Sequence, residues 1–171
     1  MDTISFLRRE VELNAINVVQ GVWVVERQRV LRTILGSCVS VCLYDPIARL
    51  GGMNHYVYPP LSGGAPGSSR VTTMSADICM EGLLEAVIQA GGRHKQLRAK
   101  AFGGGAMFAQ EGGPLSVGKR NASFAKFWLE QEGIPLELFD FHGNCARKLM
   151  FHPASGQHLC TKLPNTGQDT A

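Results

Sequence analysis

A cysteine and a histidine on either side of a predicted β-turn are the residues of this sequence best suited to chemistry. Asp45-Pro46 favours a turn, because proline fixes φ at the second turn position. If residues 45–48 form a four-residue loop, the strands that flank it place Cys38 directly opposite His55. Cβ atoms in such a pair lie about 4.5–5.5 Å apart, close enough for a thiol and an imidazole to interact. The local sequence therefore predicts a Cys–His pair.

This pair predicts nucleophilic catalysis, because a thiolate is a strong nucleophile and a neighbouring imidazolium lowers the pKa of a thiol. The histidine can then return the proton to a leaving amine. Gly36 and Ser37 precede the cysteine and allow the strand to bend, which leaves N–H groups free to bind an oxyanion. The alternative is a buried structural cysteine beside an ordinary histidine.

Gly104, in the triplet of residues 103–105, is a further candidate for contact with the substrate. A glycine there allows the backbone to approach a substrate amide closely. It equally well supplies only the positive φ of a turn after a strand. Both interpretations are open at this point.

The remaining pattern predicts an α+β fold, with a largely antiparallel sheet or sandwich flanked by helices. Apolar periodicity predicts helices at Ser75–Ala90 and, capped by Asn121, up to Gly133. A loop rich in proline, glycine and serine is expected at Pro59–Ser69. Strands are expected at Ala15–Val25, Val30–Leu35, Val39–Tyr44, Gly52–Tyr58, Leu97–Phe102 and Leu136–Phe141, followed by a hairpin at Arg147–Leu163.

Length and composition favour a cytoplasmic protein with one domain over residues 1–171 and a frayed tail at residues 164–171. The chain has 171 residues, of which 44% are hydrophobic. It contains no apolar run near the roughly 18 residues that span a bilayer, and MDTISFLRRE does not resemble a secretory signal. A net charge of +3 with scattered basic residues argues against binding to nucleic acid.

The five cysteines lack the spacing of a disulfide framework, so we expect free thiols. A second cluster of potential metal ligands follows no usual zinc spacing, so we expect neither a metal nor a cofactor. The alternative is a zinc-binding regulatory protein. The cluster consists of His142, Cys145, His152, His158 and Cys160.

Two motifs together make the chain resemble the CheD family of chemoreceptor glutamine deamidases. They are TILGSC at residues 33–38 and GGMNH at residues 51–55. The resemblance runs from about Val18 to Leu163. It also includes the segments FGGGAMF at residues 102–108, VGKRN at residues 117–121 and GNCAR at residues 143–147.

The resemblance implies a Cys–His–Thr site that converts receptor glutamine to glutamate through a thioester and releases ammonia. Cys38 and His55 match the family motif, and Thr33 is the candidate that orients the histidine. In some members the threonine lies one residue earlier, where this chain has Arg32. A second departure is His142, at a position where relatives more often have glycine, and it is expected to alter the rim of the pocket.

The resemblance also implies partners and a fold. Methyl-accepting chemotaxis receptors are the expected substrates, their methyl esters are possible further substrates, and a CheC-type phosphatase is a possible partner. The implied fold is similar to the catalytic domain of the cytotoxic necrotizing factor toxins. The alternative function is a non-catalytic chemotaxis adaptor that binds receptors or the phosphatase, although an adaptor has no need of the Cys–His pair.

Overall fold

Two β-sheets packed face to face form the centre of the molecule. The structure is a computed structural model that describes residues 2–60, 72–108, 113 and 116–164, with backbone alone at residues 10–12. Leu31 and Leu35 of one sheet and Cys42 and Phe102 of the other are buried together between them. The predicted loop from residue 61 and the predicted tail from residue 165 lie outside the described residues.

The described elements run in the following order along the chain: α1 (Thr3–Asn14), β1 (Ile16–Asn17), β2 (Trp23–Glu26), β3 (Leu31–Leu35), β4 (Val39–Asp45), β5 (Leu50–Asn54), α2 (Ala76–Gln89), β6 (Arg98–Gly103), α3 (Val117–Glu132), β7 (Leu136–Phe141), β8 (Arg147–Phe151) and β9 (His158–Lys162). A short 3₁₀ turn at His94–Gln96 precedes β6.

The four-stranded sheet has the order β1-β3-β8-β9, and the five-stranded sheet has the order β2-β5-β4-β6-β7. Apolar residues of α2, α3 and the outer face of the five-stranded sheet form the larger core. Helix α1 packs on the outer face of the four-stranded sheet, where Leu7 contacts Val30 and Met150. Helices thus flank a pair of mixed sheets, and the predicted α+β class is confirmed. No helix in the described part of the chain is both long and apolar enough to cross a membrane.

The predicted hairpin of β8 and β9 is confirmed, and so is the helix α2. Helix α3 begins earlier than predicted, because its N-cap is Ser116, whose hydroxyl accepts a hydrogen bond from the Lys119 N–H. The prediction of Asn121 as the cap is therefore wrong. Asn121 lies inside the helix and is fully buried.

The single strand predicted at Ala15–Val25 is also wrong. A turn with Gly21 at φ 77° separates β1, which belongs to one sheet, from β2, which belongs to the other. Helix α1 was missed altogether. Its N-cap is Asp2, whose carboxylate accepts a hydrogen bond from the Ser5 N–H at 2.8 Å. Its sequence does carry a helical signal, because the apolar residues Ile4, Leu7 and Val11 recur at helical spacing.

The β4–β5 hairpin exists, but its register differs by two residues from the predicted one. Asp45 pairs with Leu50, so the loop consists of residues 46–49. The buried Asp45 carboxylate explains this, because it accepts hydrogen bonds from the N–H groups of Ile47 and Ala48, each at 2.9 Å. It thereby stays in the strand and holds the loop that follows.

Candidate active site

His55 is held in one orientation by Thr33 and by the chain at Val18. It directly follows β5, and its ring Nδ1 lies 2.8 Å from the Thr33 hydroxyl and 3.2 Å from the Val18 carbonyl oxygen. The Thr33 hydroxyl is itself 2.7 Å from the same carbonyl. Thr33 and His55 are both buried. The structure therefore brings β3, β5 and the turn after β1 together around the imidazole.

These contacts assign the tautomer of His55. A carbonyl cannot donate, so the single hydroxyl proton of Thr33 points to the Val18 oxygen. The hydroxyl oxygen must then accept from Nδ1, which carries the ring proton. Nε2 is left with a lone pair, and it has no hydrogen-bond partner among the described residues. Burial lowers the pKa of His55, so the neutral ring is favoured.

The sequence predicted that Cys38 lies directly opposite His55, and this prediction is wrong. Val39 pairs with Tyr56, which by the same register places Cys38 across from Val57 and His55 across from Ser40. Cys38 and His55 are thus diagonal neighbours on one face, a separation of about 7–8 Å between Cα atoms that longer side chains can bridge.

The environment of Cys38 favours the thiol over the thiolate. The side chain is 7% exposed, and this burial raises the pKa of the thiol. Two weaker influences lower the pKa, namely the Gln20 amide, whose Nε2 lies 3.9 Å from Sγ, and the N–H of Cys38 itself. Burial thus disfavours the charged forms of both Cys38 and His55, and with them a preformed thiolate–imidazolium pair.

Three consecutive carbonyl groups fix the backbone around the cysteine. The Gly36 oxygen accepts from the Gly105 N–H at 3.0 Å, and the Cys38 oxygen accepts from the Gly104 N–H at 2.9 Å. The Ser37 oxygen accepts from the Asn121 side chain at 3.0 Å. The Gly104 N–H is therefore already bonded within the chain, and a contact between Gly104 and the substrate stays a prediction.

The N–H groups of Ser37 and Cys38 differ from that of Gly104. Neither donates to another residue in the part of the chain that the structure describes. They are therefore candidate backbone donors, at and next to Cys38, for a negatively charged oxygen.

Asn121 and Gln20 are site residues that the sequence pattern did not reveal. The Asn121 amide also donates to the Val57 oxygen at 2.8 Å, so that helix α3 ties together the segments that carry Cys38 and His55. The position of Asn121 within the VGKRN segment is a signal in the sequence, but the local pattern predicts a helix cap there and not a site residue. Gln20 gave no signal, because its contact with Cys38 depends on the turn after β1.

A cavity of about 560 Å³ opens beside the imidazole. Thr33, His55 and Gln20 line it, whereas Cys38 does not, so the Gln20 amide is what connects the cavity to the sulfur. His142, expected at the rim of the pocket, is not among the residues that line it.

The second cluster of histidines and cysteines is dispersed. Within residues 2–60, 72–108 and 116–164, no three potential ligands come together to hold a metal ion. His152 contacts the Ser155 hydroxyl at 2.8 Å, and His158 contacts the Lys100 ammonium at 2.9 Å.

Comparison with known proteins gives a consistent set of relatives. A family model described as CheD chemotactic sensory transduction matches residues 60–162. A protein of Dechloromonas aromatica (strain RCB), described as probable chemoreceptor glutamine deamidase CheD 2, is 42% identical over 163 residues, which cover 95% of this chain and 82% of that protein. A Burkholderia thailandensis protein, described as probable chemoreceptor glutamine deamidase CheD 1, is 41% identical over 143 residues, or 83% of this chain and 60% of that protein.

One solved structure, that of a Neisseria meningitidis protein of the DUF152 family, covers 92% of this chain and 77% of its own. Its TM-score is 0.49, and its sequence identity is 11%.

Proposed function

The chain belongs to the CheD family, and from that membership we propose that it hydrolyses glutamine side chains of chemoreceptors to glutamate. The relatives are named as chemoreceptor glutamine deamidases, which are hydrolases of carboxamide bonds. The structural observation that carries the proposal is the buried, oriented His55, whose Nε2 has no hydrogen-bond partner among the described residues. His55 lines the same cavity as Gln20, whose amide contacts the Cys38 sulfur.

In the proposed reaction Cys38 is the nucleophile and His55 is the general base. When the glutamine carboxamide enters the cavity, Nε2 takes the thiol proton as Sγ attacks the carbonyl carbon. This concerted route suits a pair that is neutral at rest, because burial disfavours both the thiolate and the imidazolium. Nδ1 keeps its proton throughout, since Thr33 and Val18 accept from it.

The tetrahedral intermediate carries its negative charge on the former carbonyl oxygen. The N–H groups of Ser37 and Cys38 donate to no other residue in the described part of the chain, and they are the proposed donors to this oxygen. Gly36 gives the backbone room to present them. His55 then returns the proton to the amide nitrogen and the C–N bond breaks. Ammonia is released, and the substrate acyl group stays bound to Cys38 as a thioester. Water, activated by the same imidazole, hydrolyses the thioester to glutamate and the free thiol.

Thr33 has the proposed role of orienting His55 and fixing its tautomer. The alternative from the family pattern was the position of Arg32. The Arg32 side chain instead donates through Nε to the Asn17 side chain at 2.6 Å, on the other face of β3. Thr33 is therefore the residue to which we assign the third role in the site.

A receptor methyl ester would react by the same acyl transfer with methanol as the leaving group, and this activity stays a prediction. A CheC-type phosphatase as partner, a cytoplasmic location and a single domain over the whole chain also stay predictions. A non-catalytic adaptor is the competing function. It does not account for a threonine and a carbonyl that both hold one buried imidazole in a single tautomer.

The test is incubation of the protein with a chemoreceptor cytoplasmic fragment, followed by peptide mass analysis for conversion of glutamine to glutamic acid. Wild-type protein should convert specific glutamines, and Cys38→Ala should convert none while it retains the fold by circular dichroism. Equal conversion by Cys38→Ala and wild type would exclude the cysteine mechanism. No conversion by the wild type, with retained binding to the fragment, would favour the adaptor.

A further inference from the structure

Two cations lie beside the cavity on the outer face of the four-stranded sheet. Strand β3 alternates, so that Thr33 points inward while Arg32 and Ile34 face outward. Lys148 of β8 is exposed and lies directly opposite Ile34, which makes it the diagonal neighbour of Arg32. Arg32, Ile34 and Lys148 line the same cavity as His55.

Neither of these two cations takes part in an ion pair with another described side chain. In the described part of the chain, the ion pairs involve other residues, and neither Arg32 nor Lys148 contacts a carboxylate. The Arg32 guanidinium is nevertheless held in place, because Nε donates to the Asn17 side chain, which also lines the cavity. A guanidinium held through Nε, whose outer nitrogens have no hydrogen-bond partner among the described residues, is well suited to bind a carboxylate.

The described lining of the cavity contains no acidic residue, whereas Arg32 and Lys148 on it are both positively charged. The exposed apolar side chains of Val19 and Ile34, which are 59% and 60% exposed, lie among the same lining residues. A surface that combines cations with apolar side chains fits an amphipathic helix with acidic residues, rather than a purely ionic ligand.

We propose that Arg32 and Lys148 select the substrate by binding carboxylate side chains near the target glutamine, so that acidic helical segments are the preferred substrates. This inference rests on the proposed function. On a helix, residues three and four positions from the glutamine share its face. Carboxylates at those positions would lie over the outer face of β3 and β8 while the glutamine side chain enters the cavity.

The test uses three synthetic helix-forming peptides that each carry one glutamine. At the positions three and four residues from it, the first peptide has glutamate, the second alanine and the third lysine. Deamidation by the wild type gives kcat/KM for each peptide. Binding of each peptide to Cys38→Ala protein, measured by fluorescence anisotropy, reports recognition without catalysis.

We expect the acidic peptide to bind about 2- to 20-fold more tightly than the neutral one at low salt, since each exposed ion pair contributes modestly. Added salt should remove the difference. Lys148→Glu should remove the preference for the acidic peptide, because the introduced carboxylate offsets the charge of the neighbouring Arg32. The matched control is Lys95→Glu, an equal change of charge at an exposed residue in the 3₁₀ turn, away from the cavity.

The outcomes separate the two proposals. Deamidation of all three peptides at equal rates, with equal binding, would overturn the role of Arg32 and Lys148 and leave the deamidase function intact. Charge-dependent binding without deamidation of any peptide would support recognition of acidic segments and count against the deamidase function. An equal effect of Lys95→Glu and Lys148→Glu would show that only net charge matters, and it would also overturn the proposal.

Discussion

The Thr33→Val variant tests whether Thr33 only helps to orient His55 or is indispensable for its action as a base. Valine has nearly the same shape but no hydroxyl, so the 2.8 Å contact to His55 Nδ1 and the 2.7 Å bond to the Val18 oxygen are both lost. The ring and the carbonyl still have each other as partners, because Nδ1 lies 3.2 Å from that oxygen. Neither polar group is therefore left buried without a partner.

The expected loss is that of about one net hydrogen bond, or about 1 kcal/mol in the free energy of unfolding. If the same interaction is needed to hold the ring in the transition state, kcat falls about 5- to 10-fold, since about 1.4 kcal/mol corresponds to tenfold in rate. The pH at which the rate is half-maximal should hardly change, because the Val18 oxygen still keeps the proton on Nδ1.

Two measurements check this prediction, namely denaturant unfolding for stability and ammonia release from a receptor fragment across pH for the rate. Thr33→Ser is the matched control, because it restores the hydroxyl and should return most of the lost activity. A rate as low as that of a His55 variant would refute the reasoning, since it would mean that Val18 cannot replace the threonine. A rate equal to wild type would remove Thr33 from the site.

Three further predictions follow from burial and from the contacts of the site. His55→Ala should lower kcat by about 10²–10⁴ with the fold retained, as is usual for a positioned acid–base group, and a change under about threefold would make it structural. Iodoacetamide labelling of Cys38, followed by peptide mapping across pH, should have a midpoint above the roughly 8.5 of a free thiol, because burial raises the pKa of Cys38. A midpoint below that value would show that the thiolate is preformed. Gly103→Ala should abolish deamidation, because Gly103 has φ 115° and an added Cβ would overlap the Cys38 oxygen. The control is Gly113→Ala, whose added Cβ meets nothing within 4 Å and which should have the melting temperature and the deamidation rate of wild type.

Local sequence patterns are sufficient where the signal lies within a few neighbouring residues. The periodicity of α2 and the turn between β8 and β9 predict those elements, and both are present. The motif residues Cys38 and His55 are likewise recognisable from type and spacing, together with the fold class. The amino-acid sequence by itself therefore identifies the residues able to do chemistry.

The sequence alone is less reliable where a side chain interacts with a distant segment. Asp45 looks like the first residue of a turn, but its buried carboxylate holds the loop from within the strand, and this changes the register of the hairpin. Asn121 looks like a helix cap, yet it bonds to carbonyl groups 84 and 64 residues earlier in the chain. Neither partner can be inferred from the local sequence.

The protonation state of the site and the charge around it are decided by the tertiary structure. Cys38 and His55 look like an ion pair in the sequence, but both are buried between elements far apart in the chain, and removal from water disfavours both charged forms. Arg32 and Lys148 are 116 positions apart, and they share one cavity because β3 pairs with β8. The sequence determined which groups are present, whereas long-range strand pairing determined their neighbours and their exposure to water, on which their ionisation depends.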